Sequence, residues 1–294
     1  MTPSRLFSSF PEVQPGHRPL SGCRMIHSIA HPTDFSDAGA TAFEHALRLA
    51  IDNRSTLDLL HVGPPDEAGH WHEFPQVRKV LRRWGLLKAD AQVEDIASET
   101  GVRVHKIGIR SLDAAEGLAR YLQDHRPGLL VMASRGHAGL ERWTKGSVSA
   151  EVVRDTLVPT LILGPRARAM VDSETGVLSL ERVLVPIDHS PSPDGLLAML
   201  DTVTNGSGVA IDVVHVGNSA PAVRGAQGEK ILVRLLEGPV VETLVHAAEQ
   251  ADMVAMLTAG RSGLLDALRG STTERMIRDA SCPVLVLPAA AGPG

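Results

Sequence analysis

Two groups of residues in this chain have the types and spacing to do chemistry. One is Gly136, nine residues, then Gly146-Ser147; the other is Asp34, in the run Pro32-Thr33-Asp34-Phe35-Ser36. A helix beginning at Ser147 leaves unpaired backbone N–H groups at its start, and these favour an anion. Gly146 has no Cβ, so a ligand can approach the backbone closely. A plain helix cap uses the same residues, because Ser is a favoured cap and Gly is common in loops. Asp34 likewise suits a turn as well as a ligand contact.

Other chemistries find little support. Lys145-Gly146-Ser147 is not in P-loop order. There is no G-x-S-x-G elbow. His70-Trp71-His72-Glu73 supplies two imidazoles without a third fixed ligand and reads as solvated surface, so no metal site is expected. His61 and His215 fall inside strands and read as core or rim residues. Arg82-Arg83 reads as a solvated helix face. No acid/base pair or activated nucleophile stands out, which favours binding over catalysis.

The elements that must position these residues alternate in type. Residues 26–32 read as a strand, 37–53 as a helix with Ala38, Ala42, Ala46, Leu49 and Ala50 at helical spacing, and 56–62 as a second strand. A Pro/Gly loop follows. Residues 76–99 then read as largely helical, with a weak point at Gly85, and Trp71, Phe74 and Trp84 are expected to pack this segment onto the sheet. Residues 102–109 form a third strand, 112–124 a helix, 129–132 a fourth strand and 160–163 a fifth. Strands alternating with helices predict a parallel, doubly wound α/β sheet.

The pattern then restarts. Residues 182–187 match the first strand, and Asp188-His189-Ser190 matches Asp34-Phe35-Ser36. Asp34 to His61 is 27 positions, and so is Asp188 to His215. Gly260 and Gly270-Ser271 repeat Gly136 and Gly146-Ser147. This is an internal duplication. Gly63 to Gly146 spans 83 positions but Gly217 to Gly270 only 53, and the 30 missing positions fall after His215-Val216-Gly217. The second copy therefore lacks the long helix, and an irregular connection is expected there. The expected units are a tail at 1–24, a first domain at 25–165, a linker at 166–180 and a second domain at 181–288. Met25 directly precedes the first strand, which leaves Met1 and Met25 as alternative translation starts.

At these residues the chain resembles the universal stress protein family in a tandem two-domain form. The family motif is Gly, two residues, Gly, nine residues, then Gly-Ser/Thr; here Ala133-Ser134-Arg135-Gly136 precedes Gly146-Ser147. Ala133 stands where the motif has its first Gly. The resemblance implies two five-stranded parallel sheets of order 3-2-1-4-5, with ATP, with or without Mg2+, bound mainly by the first copy. It places Pro32, Thr33 and Asp34 at the adenosine and Val62 at the adenine edge. Met132 and Ala133 would line the ribose, and Gly136 and His137 would cover the phosphates. Gly146, Ser147, Val148 and Ser149 would donate hydrogen bonds to them. It implies a stress-response sensor or regulator; a slow ATPase and a scaffold without ligand are the alternatives.

The second copy is expected to be degenerate. Leu257 replaces the first Gly, and Ser271-Thr272-Thr273-Glu274 is a capping-box pattern that puts a carboxylate at the anion site. It reads as a structural or regulatory partner. Residues 160–163 and 284–287 are apolar edge strands that need cover. Family members often dimerise through this strand, so an intrachain pseudo-dimer is implied, with a homodimer of chains left open.

Composition sets the outer bounds. The 294 residues are 43% apolar and 21% charged, enough for about two ordinary domains. Aromatics are 3%, so the core must be aliphatic. A net charge of −5 argues against nucleic acid as the main partner. No apolar run reaches the length of a membrane span. Cys23 and Cys282 give no disulfide framework. A soluble, cytoplasmic protein is expected.

Overall fold

The computed structural model describes residues 26–64, 74–134, 156–204, 208–225, 228–258 and 272–289. The first copy runs β1 (Ser28–Pro32), α1 (Asp37–Asn53), β2 (Thr56–Gly63), α2 (Val77–Arg83), α3 (Asp95–Thr100), β3 (Arg103–Arg110), α4 (Ala114–His125), β4 (Leu129–Ala133) and β5 (Thr160–Leu163). The second runs β6 (Arg182–Pro186), α5 (Asp194–Val203), β7 (Ala210–Val216), β8 (Val223–Arg224), β9 (Lys230–Ile231), β10 (Arg234–Leu236), α6 (Val240–Ala248), β11 (Met253–Thr258), α7 (Thr272–Asp279) and β12 (Val284–Pro288).

Each copy has strand order 3-2-1-4-5, as expected, and all pairings within a copy's main sheet are parallel. The two sheets continue into one ten-stranded sheet, because β12 pairs antiparallel with β5, Leu285 opposite Leu161. Both junction strands carry apolar residues that are buried at this seam: Leu161, Ile162 and Leu163 of β5, and Val284, Leu285 and Val286 of β12. The outer edges are β3 and β10. β3 carries Arg103, Lys106 and Arg110, and charged side chains discourage further pairing at an edge.

Two apolar layers cover the sheet. One joins α1, α2 and α5 to the strands through Phe43, Leu47, Leu81, Leu196 and Leu200. The other joins α4, α6 and α7 through Leu118, Leu122, Leu244 and Met276. Both layers contain residues from both copies, so each crosses the seam.

One expectation needs correction. Residues 76–99 are not largely helical: α2 ends at Arg83, and α3 begins only at Asp95. Gly85 sits at φ +70, which breaks the helix, and the Arg82 guanidinium donates to Lys88 O and Ala91 O to hold the irregular stretch. Arg82 and Arg83 are thus exposed but engaged, Arg83 in an ion pair with Glu44. Phe74 and Trp84 are buried as expected, while Trp71 lies outside the described residues. In the second copy the shortened connection carries a small β8–β9 antiparallel pair and no helix among the described residues.

The segment between the copies is docked. His45 Nε2 accepts the N–H groups of Met170 at 2.9 Å and Val171 at 3.3 Å. Trp84 Nε1 donates to Ser173 O at 2.9 Å, and Arg48 donates to Gly176 O at 3.2 Å. On the far side, Arg168 N donates to Ser281 O at 2.8 Å and its guanidinium to Ala251 O at 3.0 Å.

Candidate functional site

β1 lies between β2 and β4, and the chain leaves its end in the direction opposite to that set by β4 and β5, so strand order reverses there. Ligands of open α/β sheets bind at the carboxyl ends of strands at such a point. Ile29 and Ala30 pair with Leu129 and Leu130, so the two strands end side by side. Thr33 and Asp34 leave β1 at the edge where Met132 and Ala133 end β4. Val62 is at the same edge, since Pro32 pairs with Leu60. His31 ties the two strands together: its Nδ1–H donates to Val131 O at 2.9 Å.

The turn after β1 is built from its own side chains. Thr33 N donates to Leu60 O at 2.8 Å, and Phe35 N donates to Thr33 Oγ1 at 3.1 Å. Asp34 Oδ1 accepts from Ser36 N at 3.1 Å and Ser36 Oγ at 2.6 Å. Ser36 is the N-cap of α1 and accepts from Gly39 N. A Cβ on Gly39 would stand 3.1 Å from Asp34 Oδ1, so this glycine leaves room for the carboxylate against the helix start. Thr33 is buried and Asp34 is exposed, so the carboxylate is fixed in direction and open to solvent.

The structure therefore brings Pro32, Thr33, Asp34, Val62, Met132 and Ala133 to one end of the sheet. The remaining expected site residues, Gly136, His137, Gly146, Ser147, Val148 and Ser149, lie outside the described residues, as do His70, His72 and Glu73.

The universal stress protein family model matches residues 25–164 and 218–288. The chain belongs to the universal stress protein family. A universal stress protein of Mycolicibacterium smegmatis is 25% identical over 295 residues, covering 89% of this chain and 97% of its own length. Universal stress protein MJ0531 of Methanocaldococcus jannaschii is 28% identical over 150 residues, 49% of this chain and 85% of its own length. The crystal structure of a universal stress protein from Archaeoglobus fulgidus shares the fold at a TM-score of 0.62 and 20% identity, covering 92% of this chain and 98% of that one.

Within this universal stress protein fold, one feature of the first copy escapes sequence reasoning. Phe35 has φ +63, a conformation unusual for a bulky residue. Its ring lies 4.3 Å from that of His61, and both rings approach Phe74 edge-on. His61 Nδ1–H donates to Thr33 O at 3.0 Å. A half-buried pair of rings, packed on buried Phe74, thus stands on the α1 side of the sheet, built by residues that no Gly or Asn signal marks.

The second copy repeats the frame with other side chains. Ile187 N donates to Val214 O at 2.9 Å, as Thr33 N does to Leu60 O. His215 Nδ1–H donates to Ile187 O at 3.0 Å, as His61 does to Thr33 O. His189 stands where Phe35 stands in the first copy. Leu257 is half-buried against the core, and Glu274 lies in the first turn of α7. Among the described residues no helix is long and apolar enough to cross a membrane.

Proposed function

We propose that this universal stress protein is a stress-response sensor or regulator whose first copy binds an adenine nucleotide, ATP first among them, with or without Mg2+. The observation that carries the reading is the placement of Asp34 beside Met132 and Ala133 at the point where strand order reverses. The aromatic wall of Phe35, His61 and Phe74 gives a flat base an apolar neighbour. In this reading Pro32, Thr33 and Asp34 contact the nucleoside and the backbone of Val62 meets the base edge. Gly136, His137, Gly146, Ser147, Val148 and Ser149 hold the phosphates through N–H and hydroxyl groups.

In this reading the second copy acts as a structural or regulatory partner, and the β5–β12 pairing supports an intrachain pseudo-dimer of units 25–165 and 181–288 joined by 166–180. Extraction of the purified protein with acid, followed by chromatography of the released nucleotides, tests the reading. An adenine nucleotide near one per chain is expected. No retained or added adenine nucleotide on the protein would leave the scaffold reading instead. Phosphate release over many turnovers, lost in Gly146→Asp, would make it a slow ATPase.

A further inference from the structure

Asp188, His189 and His215 bring a carboxylate and two imidazoles together at the carboxyl ends of β6 and β7. One ligand-type atom from each lies within 4.8 Å of the other two. We propose that these three residues bind a divalent transition-metal ion of the zinc class. Mixed imidazole and carboxylate donors suit zinc and its neighbours, whereas magnesium and calcium take all-oxygen sets.

The details favour a ligand set over a chance cluster. His215 is buried, with 10% of its side chain exposed, and donates its Nδ1–H to Ile187 O. That bond fixes the tautomer and leaves the lone pair on Nε2. A ligating histidine is ordinarily held in this way, by a backbone or carboxylate acceptor on its other nitrogen. Gly217 keeps Nε2 uncovered: a Cβ there would stand 2.5 Å from it. Asp188 Oδ1 accepts from His189 N at 2.7 Å, which orients the carboxylate.

His189 completes the set. Its ring stands edge-on to that of His215, centroids 5.1 Å apart, with Ser219 Oγ 3.4 Å from its Nε2. Donors around a tetrahedral zinc are about 3.4 Å apart. Closing from the present spacing falls to Asp188 and His189, which are exposed, rather than to buried His215. A fourth position is then left to water.

The first copy supplies an internal contrast. Asp34, Phe35 and His61 hold the matching places, and there the Phe35 ring covers His61. A single exchange, Phe for His, converts an apolar cover into a donor. The two copies thus keep one frame and differ in ligand class. This inference does not depend on nucleotide binding by the first copy.

The test uses the full chain without a histidine tag. Zn2+ is titrated against a chromogenic chelator into the wild type, His189→Phe and Asp188→Asn. Both substituted residues are exposed, and unchanged circular dichroism in metal-free buffer verifies folding. The expected result is at least a tenfold loss of Zn2+ affinity in each variant, in line with loss of one ligand. Wild-type affinity in both variants, or no Zn2+ uptake by the wild type beyond that of His189→Phe, would overturn the proposal.

Discussion

His45 Nε2 accepts the backbone N–H of Met170 at 2.9 Å, joining α1 of the first copy to the segment that leads into the second. The same ring donates Nδ1–H to Thr41 O at 2.8 Å, so both nitrogens are used and only the neutral imidazole fits. Removing the ring leaves the N–H groups of Met170 and Val171 buried without an acceptor. His45→Ala is therefore expected to destabilise the fold by about 2–4 kcal/mol, read from the urea midpoint.

Acid should weaken the fold through the same residue type. His31 is fully buried, and desolvation lowers its pKa from 6.5 to about 4; burial lowers that of His45 in the same direction. Among the described residues His31 Nε2 has no hydrogen-bond partner that could offset this. The unfolded chain takes up protons near pH 6.5, while native His31 does so only near pH 4. Stability from this term is therefore full above the unfolded value and lost as pH falls through the window down to the folded one. The loss from His31 alone is on the order of 3 kcal/mol. Urea midpoints at pH 7.5 and 4.5 should differ by less in His31→Gln than in the wild type.

Gly164 governs the seam between the copies. A Cβ there would stand 2.0 Å from Ile277 O, a backbone atom of α7 that cannot step aside without moving the helix. Gly164→Ala should cost about 2 kcal/mol or more. Gly195, near the start of α5, is the control: its Cβ would meet Leu287 Cδ2 at 3.7 Å, an ordinary contact. Gly195→Ala should be neutral or stabilising by up to about 1 kcal/mol. Equal losses in the two variants would contradict the account of the seam.

Cys282 is buried, and desolvation pushes its thiol pKa up to about 12. Thiolate is the reactive form, so native Cys282 should resist thiol reagents and react only on unfolding. Comparing labelling of Cys282 in native buffer and in urea by peptide mass spectrometry checks this. Rapid native labelling would show that α6 and β12 open locally.

Much of the architecture is legible in the residues themselves. Val, Leu and Ile runs such as 129–132 and 183–185 mark buried parallel strands, and the repeat of Asp34 and His61 in Asp188 and His215 marks the duplication. The helix at 37–53 is legible from the helical spacing of Ala38, Ala42, Ala46, Leu49 and Ala50, and in the structure Ser36 caps it and Arg54 ends it in the left-handed region. The irregular stretch from Trp84 to Glu94 is not legible, since helical periodicity continues through it while Gly85 and the tertiary bonds of Arg82 decide otherwise. The grouping of Asp188, His189 and His215 is not legible from single histidines, because two strands must meet to assemble it. The signal was present: His189 stands at the position of Phe35, next to a repeated aspartate.

The first copy is proposed to bind an adenine nucleotide through Asp34 and the Gly146-Ser147 pair. Calorimetric titration of ATP into the wild type, Asp34→Ala and Gly146→Asp tests it most directly. The account predicts saturable binding by the wild type near one ATP per chain, weakened at least tenfold in each variant. Absence of ATP binding by the wild type, or equal affinity in all three proteins, would contradict it.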